Sequence, residues 1–163
     1  MNKKAAAIIS AGAVLTAAWL GHRSSRQHPR EAIWYAARAT PSSTPPAALV
    51  GTAWTGLDIL LGISGARLLA APSSRNRSVA LLFWLVNVAG SAGYPWMFFK
   101  QRRFGTSAVI AAGMLASARA AAASAGKVDF LAAMTAMPLV GWLAFAGVLG
   151  EKLWGRSALL DRD

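Results

Sequence analysis

Residues 130–149, FLAAMTAMPLVGWLAFAGVL, run without a single charge until Gly150-Glu151-Lys152 ends the stretch. About 20 apolar residues in a helix are what the hydrocarbon core of a bilayer requires. Four further runs lie upstream. Residues 5–20 follow Lys3-Lys4, and residues 47–71 are opened by Pro45-Pro46. Residues 79–99 stop at Lys100-Gln101-Arg102-Arg103, and the Ala-rich run 106–125 carries Arg119 near its end. Lipid admits only helices or closed barrels, and no strand alternation or hairpin signal competes here. The fold class expected is therefore an all-α membrane protein, a bundle of five transmembrane helices. It forms one integral domain over residues 1–163, with a long first loop at 21–46.

Composition agrees. Of 163 residues, 55% are hydrophobic and 14% charged, and the mean hydropathy is +0.41. Ordinary soluble domains carry roughly 25% charged residues. The net charge of +11 could point to nucleic acid, but the basic residues fall between the apolar runs rather than along one face, so no nucleic-acid partner is expected. The bilayer itself is the first partner. The lack of cysteine excludes disulfides, thiolate metal sites and cysteine nucleophiles. The first run, basic at its start and rich in small residues, also fits a signal peptide, so from local sequence a retained helix and a cleaved one both stand.

Lys and Arg in the short loops set orientation. One side holds Lys3, Lys4, Arg67, Arg75, Arg77, Arg119 and Lys127, a total of 7; the other holds the remaining 10 of the chain's 17. The excess places the first loop and the C-terminus in the cytoplasm. Within lipid, small residues should line helix contacts. Ser107, Ala111, Ala112, Ala116 and the pair Gly113, Ser117 supply them in the fourth run, and Gly141, Ala144 and Gly147 in the fifth.

The sequence holds little conventional chemistry. Both histidines, His22 and His28, fall in the first loop without an acidic cluster, which argues against a metal site. No phosphate-cradling Gly loop and no Ser/His/Asp set in a span is present, so no catalytic residue is assigned. The aromatic residues say more. Trp84, Asn87, Ser91, Tyr94 and Phe98 recur at steps of three and four and share one helical face. Trp142, Phe145, Ala146 and Leu149 form a second face after Pro138, and Trp54 and Asp58 are one turn apart. Rings converging between helices with a few polar groups describe a small-molecule site; aromatic packing and interface anchoring would give the same periodicity. Asp58 is the sharpest single residue, because an ionised carboxylate at mid-span costs at least ~2.5 kcal/mol. It lines a site or polar pathway, or stays neutral at a helix contact, with Asn87 or Ser91 as candidate partners. The first loop carries Trp34-Tyr35, Pro41 and Pro45-Pro46, which suits a lid.

The order Trp34-Tyr35, Pro41, Pro45-Pro46, Gly51, Trp54-Thr55 and Gly62 resembles the translocator protein family, also known as tryptophan-rich sensory protein or peripheral benzodiazepine receptor (TspO/MBR). The segment Asn87, Ser91, Tyr94 and Trp96-Met97-Phe98-Phe99 is similar to that family's third helix, and Pro138, Trp142, Phe145-Ala146 and Leu149 to its fifth. The resemblance covers residues 5–154. It implies a retained first span and a membrane receptor or carrier for porphyrin or haem, in some members sterol or benzodiazepine-type ligands. The ligand would lie in a pocket lined by Trp34, Tyr35, Pro45, Trp54, Asp58, Asn87, Ser91, Tyr94, Phe98, Trp142, Phe145, Ala146 and Leu149. It further implies no required cofactor, a homodimer in many members, and light-dependent porphyrin degradation in some. A bacterial cell membrane is the expected location. The departures are Ser43, Asp58, Ser91, Tyr94, Leu139 and Gly150 where the family carries Trp, an aromatic, Asn, Trp, Tyr and Asn. A proton-coupled transporter using Asp58 is the alternative function.

Overall fold

The computed structural model describes the backbone of residues 1–25, 47–95 and 104–160, and the side chains of residues 1–24, 49–94 and 109–148. Five helices account for nearly all of this: α1 Lys3–Ser25, α2 Ala47–Ala70, α3 Arg75–Pro95, α4 Phe104–Gly126 and α5 Phe130–Leu160. No strand occurs among the described residues. The helices outrun the apolar runs that nucleate them. Thus α1 continues past Gly21 to Ser25, which puts His22 in its last turn rather than in the first loop, and α5 continues through Gly150-Glu151-Lys152. Four helices contain described stretches long and apolar enough to cross a bilayer: Lys3–Ser24, Leu49–Ala70, Val109–Gly126 and Phe130–Val148. Helix α3 falls short because it opens on Arg75-Asn76-Arg77-Ser78, and its apolar run extends beyond the described residues.

The helices close into a ring in the order α1–α2–α5–α4–α3, with α3 returning to α1 and touching α2 across the middle. Register is fixed by contacts between neighbours. Ser64 of α2 lies level with Ala132 of α5 and Trp54 with Trp142, so these helices are antiparallel. Asn87 of α3 is level with Ser117 of α4. The buried stripe of each helix follows the 3.6-residue period, as in Ala6, Ser10, Val14 and Ala17 of α1. The opposite face is no less apolar: Ile8, Ile9, Leu15 and Trp19 are all exposed, as are Leu82, Leu85 and Val86 of α3. Helices hydrophobic all round need an apolar solvent.

Small residues do line the contacts, though not all those expected. In α4 the buried stripe is Ala111, Met114, Ser117, Ala118, Ala121, Ala122 and Ala125, whereas Ala112, Gly113 and Ala116 point outward. In α5 it is Ala132, Ala133, Ala136, Leu139 and Leu143, with Gly141 and Ala144 exposed. A small-residue count alone cannot say which of two smooth faces meets protein. Gly65 marks the tightest approach: a Cβ there would collide with Ser10 Oγ and the Trp84 indole.

The end carrying the α2–α3 and α4–α5 turns is tied by polar bonds. Asp129 caps α5 by accepting from the Ala132 N–H at 2.9 Å. Its two carboxylate oxygens also take the Arg67 guanidinium as a fork, at 2.8 and 2.9 Å. Arg77 donates to the terminal carbonyls of α2, Leu68 and Leu69, at 2.8 and 3.1 Å. The hydrogen bonds from Arg67 hold the Asp129 carboxyl below its ordinary value, with the cap adding to them against partial desolvation. A lowered folded-state value means that this stability is present above the ordinary aspartate range near 3.9 and is lost as pH falls below it.

Two predictions follow from this packing. Asp129→Asn keeps the cap and loses the ion pair, so it should lower the Tm in detergent less than Asp129→Ala and flatten the decline in stability below about pH 4. Gly65→Ala should cost about 1–3 kcal/mol through overpacking. Gly62→Ala, whose Cβ meets nothing within 4 Å, should be neutral or slightly stabilising in the same melt.

Candidate functional site

Aromatic residues from three helices, Trp54, Tyr94 and Trp142, pack against one apolar cluster. Trp54 of α2 and Trp142 of α5 stand edge to face, with ring centroids 6.3 Å apart and planes at 80°. Such T-shaped contact places the positive edge of one ring on the negative face of the other. Phe145 follows Trp142 at 5.8 Å, tilted by 43°. Tyr94 of α3 packs with both tryptophans against a common apolar cluster that includes Val14, Leu57, Val88 and Leu143. Tyr94 of α3 and Trp142 of α5 thus both pack against the same apolar cluster.

Trp142 also walls a second space. Between α2 and α5 the bundle opens outward into an apolar groove of about 590 Å³, within the range of small-molecule sites. Leu49, Ala53, Gly56, Leu57 and Leu60 form one side, and Pro138, Gly141, Trp142 and Phe145 the other. Its depth has a local cause. Ala53, Gly56 and Gly141 leave no side-chain bulk between the two helices, and the Pro138 ring, lacking an N–H, removes one rung of the α5 ladder. The sequence analysis took Gly141 as a packing residue and did not single out Ala53 or Gly56; the signal that they border a groove is their position opposite one another, which no single helix reveals.

Deeper in the bundle, the polar residues of α3 are turned to structure. Trp84 is 5% exposed and its indole N–H donates to the Leu61 carbonyl at 2.9 Å. Asn87 is 1% exposed; its amide N–H₂ donates to the Phe83 carbonyl at 2.8 Å and to Ser117 Oγ at 2.9 Å. Ser91 Oγ donates to the Asn87 carbonyl within its own helix at 3.0 Å. Neither Asn87 nor Ser91 is therefore bonded to Asp58. Asp58 is partly buried on α2, one turn below Trp54, and among the described residues it has no ion-pair or hydrogen-bond partner. Arg67, nine residues on, is held by Asp129 instead.

Of the remaining candidates, Phe145 is 41% exposed toward the groove and Ala146 is partly buried beside it. Trp34, Tyr35, Pro45 and Phe98 lie outside the described residues, as does the side chain of Leu149. No group of three His, Cys, Asp or Glu able to hold a metal ion occurs among the described residues. What the arrangement offers is ring area for stacking, an apolar slot beside it, and one carboxylate.

Comparison with known proteins agrees with this architecture. The model of the TspO/MBR family matches residues 8–155. A curated relative, Protein CrtK of Rhodobacter capsulatus, is 30% identical over 122 residues, covering 74% of this chain and 76% of its own. The match takes in all five helices and the residues of the aromatic cluster. The chain belongs to the TspO/MBR family and is an integral, multi-pass membrane protein in contact with the lipid bilayer.

Proposed function

We propose that this chain is a membrane receptor or carrier that binds a flat hydrophobic ligand, a tetrapyrrole such as porphyrin or haem, against Trp54, Trp142 and Tyr94 beneath the first loop. The observation that carries this is the edge-to-face pair of tryptophans from two helices, one of which also walls the α2–α5 groove. A planar macrocycle gains ~25 cal/mol for each Å² of apolar surface that such rings and the groove remove from water. Family membership supports a role in ligand binding or transport within the membrane. The fit is to the ring system rather than to a metal: the described spans contain no histidine apart from His22 at the end of α1, so haem would be held by its ring and its propionates. Sterol or benzodiazepine-type ligands would use the same apolar walls. In this reading α3 serves as a fifth span completed by residues beyond Pro95, the C-terminus is cytoplasmic, the host is a bacterial cell membrane, and the chain works as a homodimer.

Titrating a free-base porphyrin into the purified protein in detergent should quench tryptophan emission saturably. Trp142→Phe should weaken binding about tenfold, or ~1.4 kcal/mol. Unchanged emission would count against the assignment.

One observation favours a second reading. Asp58 stands in a membrane-crossing helix beside the aromatic cluster with no described partner, as a carboxylate that exchanges protons with a transported solute would. If the protein is a proton-coupled carrier, reconstituted vesicles should show porphyrin flux driven by a pH gradient, and Asp58→Asn should abolish it while leaving the fluorescence titration in place. Flux equal in the mutant would eliminate this role.

A further inference from the structure

At the centre of the bundle, away from the aromatic cluster's outer rim, Asn87 presents a problem of hydrogen bonding. Its Oδ1 is fully buried and has no partner among the described residues. Exchanging the amide's O and N does not help. The Phe83 carbonyl, which accepts from Nδ2 at 2.8 Å, would then face another acceptor. The orientation is therefore set, and the oxygen is left with both lone pairs unused. A buried amide oxygen in that state forfeits the hydration it had before folding, and native structures rarely leave one so.

Asn87 is also among the residues that line a small void of about 10 Å³ between α2, α3, α4 and α5. That is close to the least volume that admits one water. Most of the wall is apolar, with Leu61, Leu68 and Leu139 among it, and an apolar void of this size would stay dry. Two polar groups change the balance. One is Asn87, whose Oδ1 is buried without a described partner; the other is Ser64, which also lines the void. The Ser64 hydroxyl already donates to the Ala132 carbonyl at 2.8 Å, so its proton is committed while its oxygen can still accept.

We propose that this void is a binding site for a single structural water, which donates one hydrogen to Asn87 Oδ1 and the other to Ser64 Oγ. The water bridges α3 to α2 at the depth where Trp84 already bonds the Leu61 carbonyl and Ser117 already bonds the Phe83 carbonyl. It gives Asn87 Oδ1 a partner, so that three of the amide's four hydrogen-bonding capacities are used. The site takes water and not a cation, because no carboxylate lines it.

Water-selective rotating-frame NMR on the full-length protein in perdeuterated detergent tests this, with the Trp84 indole proton as reporter. The indole is buried and bonded, so direct exchange is slow and a dipolar peak is distinguished from it by sign. The wild type should show a dipolar peak from a long-lived water. Ser64→Ala should reduce that peak at least threefold. Asn87→Leu, which removes the acceptor and fills the void, should abolish it while the indole shift reports an intact fold. The Ser10 hydroxyl near Trp84 is retained in both variants, so a peak relayed through it would persist. No peak in the wild type, or a peak undiminished in the folded variants, would overturn the assignment; should Asn87→Leu fail to fold, Ser64→Ala alone decides.

Discussion

In lipid there is no solvent to satisfy a polar group, and the bundle answers this by sending side chains to the carbonyls of neighbouring helices. Ser10 bonds Gly62, Trp84 bonds Leu61, Ser64 bonds Ala132 and Ser117 bonds Phe83. Each acceptor is a helical carbonyl whose second lone pair is open. With the hydrophobic effect absent between helices, these bonds and the close contact of small residues are what select one packing over another. Their positions show how: α1–α2, α2–α3, α2–α5 and α3–α4 each have at least one, while α4–α5 and α1–α3 meet through apolar and small residues. The Trp84 indole is the most constrained, since Gly65 exists at its level only to let the ring pass.

The two ends of the bundle differ in how they are held. At the turn end, Asp129 serves as helix cap and as partner of Arg67, while Arg77 closes the last carbonyls of α2. At the loop end, contacts among the described residues are mainly ring against ring, and the α2–α5 seam opens into the groove. Directional polar bonds thus hold the turn end, and apolar, directionally undemanding contact the other. Trp142 sits on the boundary of interior and groove.

Much of this was legible in the order of residues. The apolar runs located the helices, because a span needs length and lack of charge and little else. The stripe Trp84, Asn87, Ser91 and Tyr94 faced inward as its spacing required, since polar groups in lipid have nowhere else to go. Helix ends were less legible: α1 and α5 continue into polar residues that can be helical in the interface without being apolar. Equally hidden was the choice between two smooth faces on α4, where Ala112 and Ala116 look as suited to contact as Ala118 and Ala122. Pairings across the chain, such as Arg67 with Asp129, depend on which helices become neighbours, and periodicity within one helix carries no information about that. The groove belongs to the same class. It is made by Gly56 and Gly141 facing each other across more than eighty residues of sequence.

The ring order has a consequence for how the protein is made. Helix α2 finds one of its principal neighbours in α5, which follows the other four helices in the chain. Until α5 is inserted, the Ser64 hydroxyl lacks its Ala132 acceptor and the Arg67 guanidinium its Asp129 carboxylate. The α2–α5 seam is therefore closed by polar contacts only once all five helices are in place.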